Sequence, residues 1–433
     1  MTDLSGRLQI HLLRRPEGLA VTISSSRPIG ASRVFIGKDP ADTAATLPSL
    51  FSICATAQAA ACVSACELAL GQTPSAILMW ARRLLVDVET VREHLWRLLL
   101  DWPGFLGEGP RGPAMARVMV ACSQLRSALA AGGDPLMLGN PCPHPDLKAA
   151  AEALAALTDV ATEQALSQAP CDWLAATPTA SALQHWAATT DTHAARLLRL
   201  VASQGWGAVG HSTVPALPHL SIATLEAHLS GPEAKDFIAT PLWAGAPAES
   251  SPLTRQLGQA LVADLTRQQG NGLLTRLTVQ LVELATLLAR LPARLAALDA
   301  DGEGPRGQAE REGKAPGNGA SNETGGGGGQ TRSGASVRLN PSLPLAASLP
   351  EGVGLAQVQA ARGLLVHRVA IQAGRVADYS ILAPTEWNFH PQGAAALGLA
   401  TLPADLDDRT LLRLAGLFVT ALDPCVAYDV RID

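Results

Sequence analysis

The chain of 433 residues contains 47% hydrophobic and 16% charged residues, which is enough apolar content to fill a large folded core. Its 33 basic and 38 acidic residues give a formal net charge of −5, which excludes a strongly basic surface for nucleic acid or anionic lipid. The seven cysteines are few and odd in number, and the first residues lack the basic and apolar segments of a signal peptide. We therefore expect a reduced, cytoplasmic protein that does not bind nucleic acid.

The chain begins with a predicted β-hairpin and two helices. Residues 8–13 and 19–24 alternate in part between apolar and polar positions, and Pro16 and Gly18 between them suit a turn. An alanine-rich helix is predicted over 54–70, because Gly71 suits the left-handed end of a helix. A long amphipathic helix is predicted over 74–100, where leucine, isoleucine and valine recur at helical spacing.

The uncharged stretch 43–66 has about the length of a membrane-spanning helix. Pro48, Gln58 and three serines interrupt this stretch, and alanine supplies much of its apolar character, which favours membrane insertion only weakly. We therefore interpret it as a buried helix of the core and expect no association with a membrane.

The middle of the chain is predicted to be mostly helical and to end at an insertion. Helices are expected over 114–131, 146–165, 180–204 and 254–298, with glycine and proline between them. Composition changes sharply over 301–336, where polar residues dominate and residues 325–329 are all glycine, which predicts a disordered insertion. We expect one domain, with strands and a helical core over 1–300, the insertion at 301–336 and a completing part over 337–433.

A second hairpin is predicted after the insertion, over 363–371 and 375–382, with Ala373 and Gly374 as its turn. A last helix begins near Asp407 or Asp408 and ends at Asp423, because Pro424 cannot continue it. The predicted fold class is α+β and predominantly α. It combines long core helices with a small β-sheet formed by the N-terminal and C-terminal hairpins.

Two cysteines each stand where half of a metal-binding CxxC pair would be. Cys54 is followed three positions later by Ala57, and Cys425 is followed three positions later by Tyr428. Thiolate sulfur is the soft ligand that holds iron and nickel. Two such pairs from opposite ends of a chain would make a four-sulfur metal site, of which two sulfurs are left here.

Other residues that could carry chemistry have simpler structural interpretations. Cys62 and Cys66 lie one helical turn apart, but no histidine or third cysteine near them completes a zinc spacing, so packing is the simpler explanation. Whether these two cysteines take part in a site stays open. Glu89 and His94 lie on the predicted long helix and are interpreted as structural residues.

The order of these features resembles the large subunit of nickel–iron hydrogenases over nearly the whole chain. Ile53 and Cys54 stand where that family has the motif Arg-Ile-Cys-Gly-x-Cys-x-x-x-His, and Asp423-Pro424-Cys425 resembles the start of its terminal Asp-Pro-Cys-x-x-Cys-x-x-His. Two further elements resemble the family's Pro-Arg-Gly and Pro-Thr-Thr-Trp-Asn, namely Ala361-Arg362-Gly363 and Pro384-Thr385-Glu386-Trp387-Asn388. The resemblance implies the large-subunit fold.

The departures from this family decide the expected function. The second cysteines and the histidines of both motifs are replaced, by Ala57, Tyr428, Ala61 and Arg431. In the family the missing sulfurs bridge nickel and iron, so the resemblance does not extend to hydrogen-splitting catalysis. Cys54 and Cys425 match the sulfurs that bind nickel terminally, and Ser32 stands where the family has a proton-relaying glutamate.

A large-subunit-like chain with one cysteine left in each motif resembles the hydrogenase maturation proteins of the HupK and HoxV type. The resemblance implies a non-catalytic scaffold that transiently holds an Fe(CN)2(CO) unit, without nickel, for transfer to the large-subunit precursor. Its other implied partners are Hyp-type maturation proteins, a small chaperone and an iron–sulfur scaffold.

The same resemblance implies the residues of the site. Cys54 and Cys425 are the implied iron ligands, and Arg362, Thr385 and Pro384 match positions that surround the unit, with Arg362 and Thr385 facing cyanide. A site with two sulfurs holds iron less tightly than a site with four. A carrier that must release its cargo needs that difference in affinity.

Two alternatives stay open. A divergent large subunit that still splits hydrogen would contain nickel and require an iron–sulfur partner subunit. A regulatory relative would bind no metal and would use the large-subunit shape only to engage the maturation complex.

Overall fold

The computed structural model describes residues 6–139, 143–302 and 349–433. The N-terminal part contains two strands, two short 3₁₀ helices and three α-helices. These are β1 (Arg7–Arg15), β2 (Gly18–Ser25), the 3₁₀ helix Ala31–Phe35, α1 (Pro40–Leu50), the 3₁₀ helix Ser52–Cys54, α2 (Ala55–Ala69) and α3 (Ala76–Trp96). The predicted hairpin, the alanine-rich helix and the long amphipathic helix are therefore confirmed.

The middle of the chain is helical. Its helices are α4 (Trp102–Phe105), α5 (Gly112–Leu129), α6 (Leu147–Ala161), α7 (Pro170–Ala176), α8 (Ala180–Thr189), α9 (His193–Ser203), α10 (Ile222–Ser230), α11 (Ala234–Ala239), α12 (Pro252–Gln256), α13 (Ala260–Gln269) and α14 (Leu273–Gly302). A π-helical turn, Arg97–Asp101, joins α3 to α4, and a second one, Thr162–Leu166, follows α6.

Two of the predicted helical stretches in this region are each divided into shorter helices. The stretch 180–204 is broken between α8 and α9, because the Thr192 side chain accepts a hydrogen bond from the Ala195 amide and starts a new helix there. The stretch 254–298 is broken into α12, α13 and α14. Gly270 ends α13 with φ +71°, a conformation that favours glycine and cannot continue a helix.

The C-terminal part supplies the remaining strands and three more helices. They are β3 (Val353–Ala360), β4 (Gly363–Gln372), β5 (Arg375–Leu382), α15 (Pro384–Asn388), α16 (Ala394–Ala400), α17 (Asp408–Leu422) and β6 (Ala427–Ile432). The predicted hairpin and last helix are present. The strands β3 and β6 were not predicted.

The strands form two separate sheets, each with three strands in the order β2-β1-β6 and β3-β4-β5. The prediction of one small sheet shared by both hairpins is therefore wrong, although the α+β, predominantly α, class is confirmed. Strand β6 pairs in parallel with β1, with Arg7 opposite Ala427 and Leu12 opposite Ile432. In β6, Tyr428, Val430 and Ile432 alternate with Asp429 and Arg431 and pack against the main core, a strand pattern that the sequence analysis did not use.

The uncharged stretch 43–66 does not form one helix. It contains most of α1 and α2, which are separated by the 3₁₀ helix Ser52–Cys54. Helix α2 is buried along most of its length and packs against β3 and β4, as expected for a core helix. Within the described ranges, no helix is both long and apolar enough to cross a membrane.

One large cluster of buried apolar side chains contains residues from before and after the predicted insertion, including Ile10, Leu84, Leu277 and Phe418. A smaller cluster beneath the second sheet includes Leu225. The predicted insertion at 301–336 lies outside the described residues except for its first two positions, which end α14. The boundaries at 1–300, 301–336 and 337–433 therefore stay predictions.

The turn between β3 and β4 is held tightly against another loop. Ala361 and Arg362 form a two-residue turn between the paired residues Ala360 and Gly363. Gly363 has φ +134°, and a Cβ atom there would lie 2.0 Å from the carbonyl oxygen of Ser250. The loop and the turn are in direct backbone contact at this point, so the position requires glycine.

Replacing Gly363 with alanine is expected to lower the free energy of unfolding by about 2 kcal/mol or more, because the new methyl group meets backbone in a left-handed conformation. Urea unfolding followed by circular dichroism measures this change. Gly109→Ala is the matched control, since a Cβ at Gly109 meets nothing within 4 Å. Equal stability of the two variants would contradict the close contact.

Candidate functional site

Cys54 lies directly before α2, whose first backbone amides have no partner within the helix. Its own side chain does not cap the helix. The carboxylate of Glu89 on α3 caps it instead, accepting hydrogen bonds from the Thr56 amide at 2.8 Å and the Ala57 amide at 2.9 Å. A carboxylate at the N-terminus of a helix also interacts favourably with the helix dipole. Glu89 therefore has a structural role, as predicted, and fixes the position of Cys54.

Cys425 lies directly after α17. Asp423 ends this helix with a left-handed backbone, φ +56°, and Pro424 follows. The hydroxyl oxygen of Thr385 accepts a hydrogen bond from the Cys425 amide at 3.2 Å and lies 2.9 Å from the Cys425 sulfur. Because the oxygen accepts from the backbone, its own proton is available to the sulfur. Thr385 thus holds Cys425 in place.

The two thiols meet at one site although they come from opposite ends of the chain. Both line a cavity of about 120 Å³, together with Arg27 and Gln58. Both also line a smaller adjoining cavity of about 10 Å³, with Arg362 and Pro384 in its wall. With Thr385 bonded to Cys425, the structure brings together all five residues that the sequence analysis assigned to the site.

Arg362 is a buried cation in the wall of this site and is 2% exposed. Its Nη2 donates to Glu93 Oε2 at 2.9 Å, and its Nε lies 3.2 Å from Asp423 Oδ1. Burial opposes the charge on Arg362, but Asp423 and Glu93 outweigh this effect and raise its pKa. Its Nη1 has no hydrogen-bond partner among the described residues. A buried donor of this kind is available to an acceptor inside the cavity.

A second set of contacts supports the Arg362 turn from behind. The side chain of Arg255 donates to the carbonyl oxygen of Ala361 at 2.7 Å and to both carboxylate oxygens of Glu283 on α14. His94 lies 2.9 Å from the same carboxylate. The structural interpretation of His94 is thereby confirmed, since it belongs to a buried ion-pair network beneath the turn.

A chain of buried hydrogen bonds leads away from Cys54 into the core. Gln58 Nε2 lies 3.6 Å from the Cys54 sulfur, and Gln58 Oε1 lies 2.8 Å from His367 Nε2. His367 Nδ1 in turn lies 2.9 Å from the Tyr379 hydroxyl. The amide oxygen can only accept, so Nε2 of His367 donates and Nδ1 accepts from Tyr379. Burial lowers the pKa of His367, which agrees with this neutral ring.

The sequence analysis missed this chain, because His367 lies in a strand more than three hundred positions after Gln58 and has no distinctive neighbours. Cys62 and Cys66 lie beside it. A hydrogen bond between the two thiols lowers the pKa of Cys62 and raises that of Cys66. No group of three or more His, Cys, Asp or Glu in the described part of the chain is arranged to hold a metal ion.

The positions that depart from the hydrogenase motifs have other contacts here. Ala57 is fully buried. The Tyr428 hydroxyl donates to the Gly416 carbonyl at 3.2 Å and lies 3.0 Å from the Thr420 hydroxyl. Arg431 pairs with Asp429 at the surface. The Ser32 hydroxyl donates to the Tyr379 carbonyl at 2.7 Å and does not line either thiol cavity.

The comparisons with known proteins define the class of the fold. A family described as "Nickel-dependent hydrogenase" matches residues 330–427. The solved Ni-Fe-Se hydrogenase from D. vulgaris Hildenborough superposes with a TM-score of 0.60 at 14% sequence identity, covering 95% of this chain and 94% of that one. The protein therefore has the fold of the large subunit of nickel–iron hydrogenases.

Sequence similarity over the full length then identifies the family. The hydrogenase expression/formation protein HoxV of Cupriavidus necator is 32% identical over 438 residues, covering 99% of this chain and 96% of that protein. HupK of Azotobacter vinelandii, which carries the same description, is 26% identical and covers 99% of both chains. The chain belongs to the HoxV and HupK family of hydrogenase expression/formation proteins, which confirms the predicted resemblance.

Glu89→Ala is expected to destabilise the protein, because the buried amide of Ala57 and the partly buried amide of Thr56 lose their acceptors. We expect the free energy of unfolding to fall by about 2 kcal/mol or more. Chemical denaturation gives this value. Glu152→Ala, on the exposed side of α6, serves as the control and should change stability by less than about 0.5 kcal/mol. If Glu89→Ala lowered the free energy of unfolding no more than the control does, α2 would not depend on this cap.

Cys54 is expected to react slowly as a nucleophile in the metal-free protein. Burial, with the nearby Cys425 and Glu89, raises its pKa to about 12. Because the thiolate is the reactive form, its alkylation by iodoacetamide should keep rising about tenfold per pH unit up to about pH 10. Peptide mass spectrometry follows the modification of Cys54. Free cysteine in the same tube levels off above about pH 8.5. A Cys54 rate that levels off with it would contradict the raised pKa.

Proposed function

We propose that this protein acts in the maturation of nickel–iron hydrogenases as a non-catalytic scaffold. In this role it holds an Fe(CN)2(CO) unit between Cys54 and Cys425 and passes it to the large-subunit precursor. The observation that carries the proposal is that both thiols line one cavity within a large-subunit fold. Membership of a family named for hydrogenase expression and formation supports the same conclusion.

The chemistry of the cavity suits this cargo. Two soft sulfur ligands suit iron that carries cyanide and carbon monoxide. Since the pKa of Cys54 is raised to about 12, iron binding there releases a proton, as metal binding to thiols generally does. The larger cavity, at about 120 Å³, has room for roughly four water molecules of about 30 Å³ each, so small ligands can enter it.

Arg362, Pro384 and Thr385 would surround the cargo in different ways. The unpartnered Nη1 of Arg362 is a charged donor for the nitrogen of an iron-bound cyanide. Pro384 would form part of the wall. The hydroxyl of Thr385 is engaged with Cys425, so it would act mainly by positioning this ligand.

The loss of two sulfurs explains how cargo would leave. Ala57 supplies no ligand, and Tyr428 directs its hydroxyl to Gly416 and Thr420. An acceptor with four cysteines would bind the iron more tightly than this site. Transfer in that direction is therefore favourable without further energy input.

A groove beside the site offers a surface for maturation partners. It has a volume of about 620 Å³ and is lined by the apolar side chains of Ile53, Trp96 and Met119 as well as Arg362. Trp96 is 40% and Met119 44% exposed. Hyp-type proteins, namely a small chaperone and an iron–sulfur scaffold, and the large-subunit precursor are the partners that we propose, in the cytoplasm.

The decisive experiment is to purify the protein from cells with active maturation genes and to measure its metals and infrared spectrum. We expect iron with cyanide and carbonyl bands and no stoichiometric nickel. Cys54→Ser and Cys425→Ser should each reduce bound iron at least about tenfold, because each removes one of two ligands. Cys171→Ser, at an exposed position, is the control and should keep the iron.

Two results would overturn the proposal. Nickel in stoichiometric amount would indicate a divergent hydrogenase subunit. A metal-free protein whose Cys54→Ser and Cys425→Ser variants still support hydrogenase assembly would indicate a regulatory relative.

A further inference from the structure

Arg27 is a second arginine at the thiol site. It follows β2, and its side chain is only 12% exposed. It lines the cavity of about 120 Å³ together with Cys54 and Cys425. Nη1 donates to Glu386 Oε1 at 2.7 Å, and across the described ranges this is the single hydrogen bond of the guanidinium. A guanidinium has five N–H donors, so most of its donors are not used by the protein.

Arg27 is a charged group in the wall of the cavity. Burial opposes this charge, but Glu386, Cys425 and Cys54 outweigh burial and raise the pKa of Arg27. The guanidinium therefore stays protonated. Arg27 lines the larger of the two thiol cavities and Arg362 lines the smaller one, so each cavity has one cation in its wall.

Glu386 explains why Arg27 is held at the cavity and does not extend into solvent. It stands where the hydrogenase element Pro-Thr-Thr-Trp-Asn has its second threonine. Its side chain is 11% exposed, and its Oε2 has no hydrogen-bond partner within the described part of the molecule. Among the described residues its one side-chain hydrogen bond comes from Arg27, so the carboxylate orients this arginine.

The cargo has two cyanides, and both need donors because metal-bound cyanide nitrogen is an acceptor. Arg362 offers its free Nη1 to one of them. The hydroxyl of Thr385 was expected to serve the other, but it is bonded to Cys425. Arg27 supplies the missing donor on the same cavity, and a charged donor forms a stronger hydrogen bond than a hydroxyl.

We propose that Arg27, oriented by Glu386, is a binding residue for a metal-bound cyanide in the larger cavity. The guanidinium donates hydrogen bonds to the cyanide nitrogen, and the site thereby selects a cyanide-bearing anionic complex over a bare metal ion. This inference rests on the proposed function and names the group that recognises its cargo. The competing explanation is a purely structural ion pair that fastens the loop after β2 to α15.

The test uses the full-length, metal-free protein and dicyanoaurate(I), a small anion with two metal-bound cyanides. The main variant is Arg27→Met combined with Glu386→Gln, which removes the donors without leaving a buried carboxylate unpaired. Calorimetry should show at least about tenfold weaker binding than to the unaltered protein. Arg33→Met is the matched control and should bind normally, because Arg33 is exposed and lies in the 3₁₀ helix whose Ala31 lines the cavity.

A second variant keeps the test decisive if the double variant does not fold. Arg27→Lys keeps the charge and the partner but replaces the planar fork by a point charge, so it should fold and still bind several-fold more weakly. Unfolding midpoints check both variants. Unchanged dicyanoaurate(I) affinity in the folded variants would overturn the inference and leave the structural ion pair as the explanation.

The iron-loaded protein separates this inference from the proposed function. We expect the double variant to shift the cyanide infrared bands while the carbonyl band and the dependence on both cysteines stay the same. An unaltered protein that carries no iron would count against the proposed function. In that case the dicyanoaurate(I) affinities still decide whether Arg27 binds a metal-bound cyanide.

Discussion

The buried guanidinium of Arg362 is the interaction on which the site depends. It joins Glu93 on α3 to Asp423 at the end of α17, and Arg97 binds the same Asp423 at 2.7 Å. Buried charges are stable only when they are paired, so these ion pairs fix the two helices and the β3–β4 turn relative to one another. Because Asp423 lies two residues before Cys425, the position of one thiol follows directly from this network.

The position of the other thiol follows from the same helix. Glu89 lies one turn before Glu93 on α3 and caps the helix that begins at Cys54. One face of α3 therefore positions both motif cysteines, one through a helix cap and the other through an ion pair. This arrangement keeps the large-subunit geometry although two sulfurs and two histidines of the motifs are absent. A fold can keep its shape while the chemistry of its site changes, since function depends on the side chains at the site.

Much of the fold was predictable from local patterns. The β1–β2 hairpin, α2, α3 and α17 follow from turn residues and from apolar spacing that repeats over many positions. The errors arose where such patterns are weak or are interrupted by a single contact. Thr192 starts a new helix through its own side chain, and β6 alternates over only six residues directly after the Asp423-Pro424-Cys425 motif. Pairing of β6 with β1 joins strands from the two ends of the chain, which no local pattern records.

The same is true of the site: some of its residues could be predicted from the sequence, and others only from contacts in the folded protein. Cys54, Cys425, Arg362, Thr385 and Pro384 were predicted from the resemblance of their short segments to the motifs of the hydrogenase large subunit. Three other features became visible only in the folded molecule. They are the helix cap by Glu89, the hydrogen-bonded chain from Gln58 to His367 and Tyr379, and the ion pair of Arg27 with Glu386. These contacts join side chains from separate elements, many of them hundreds of positions apart. Packing of helices against sheets creates such neighbours, and linear spacing carries no signal for them.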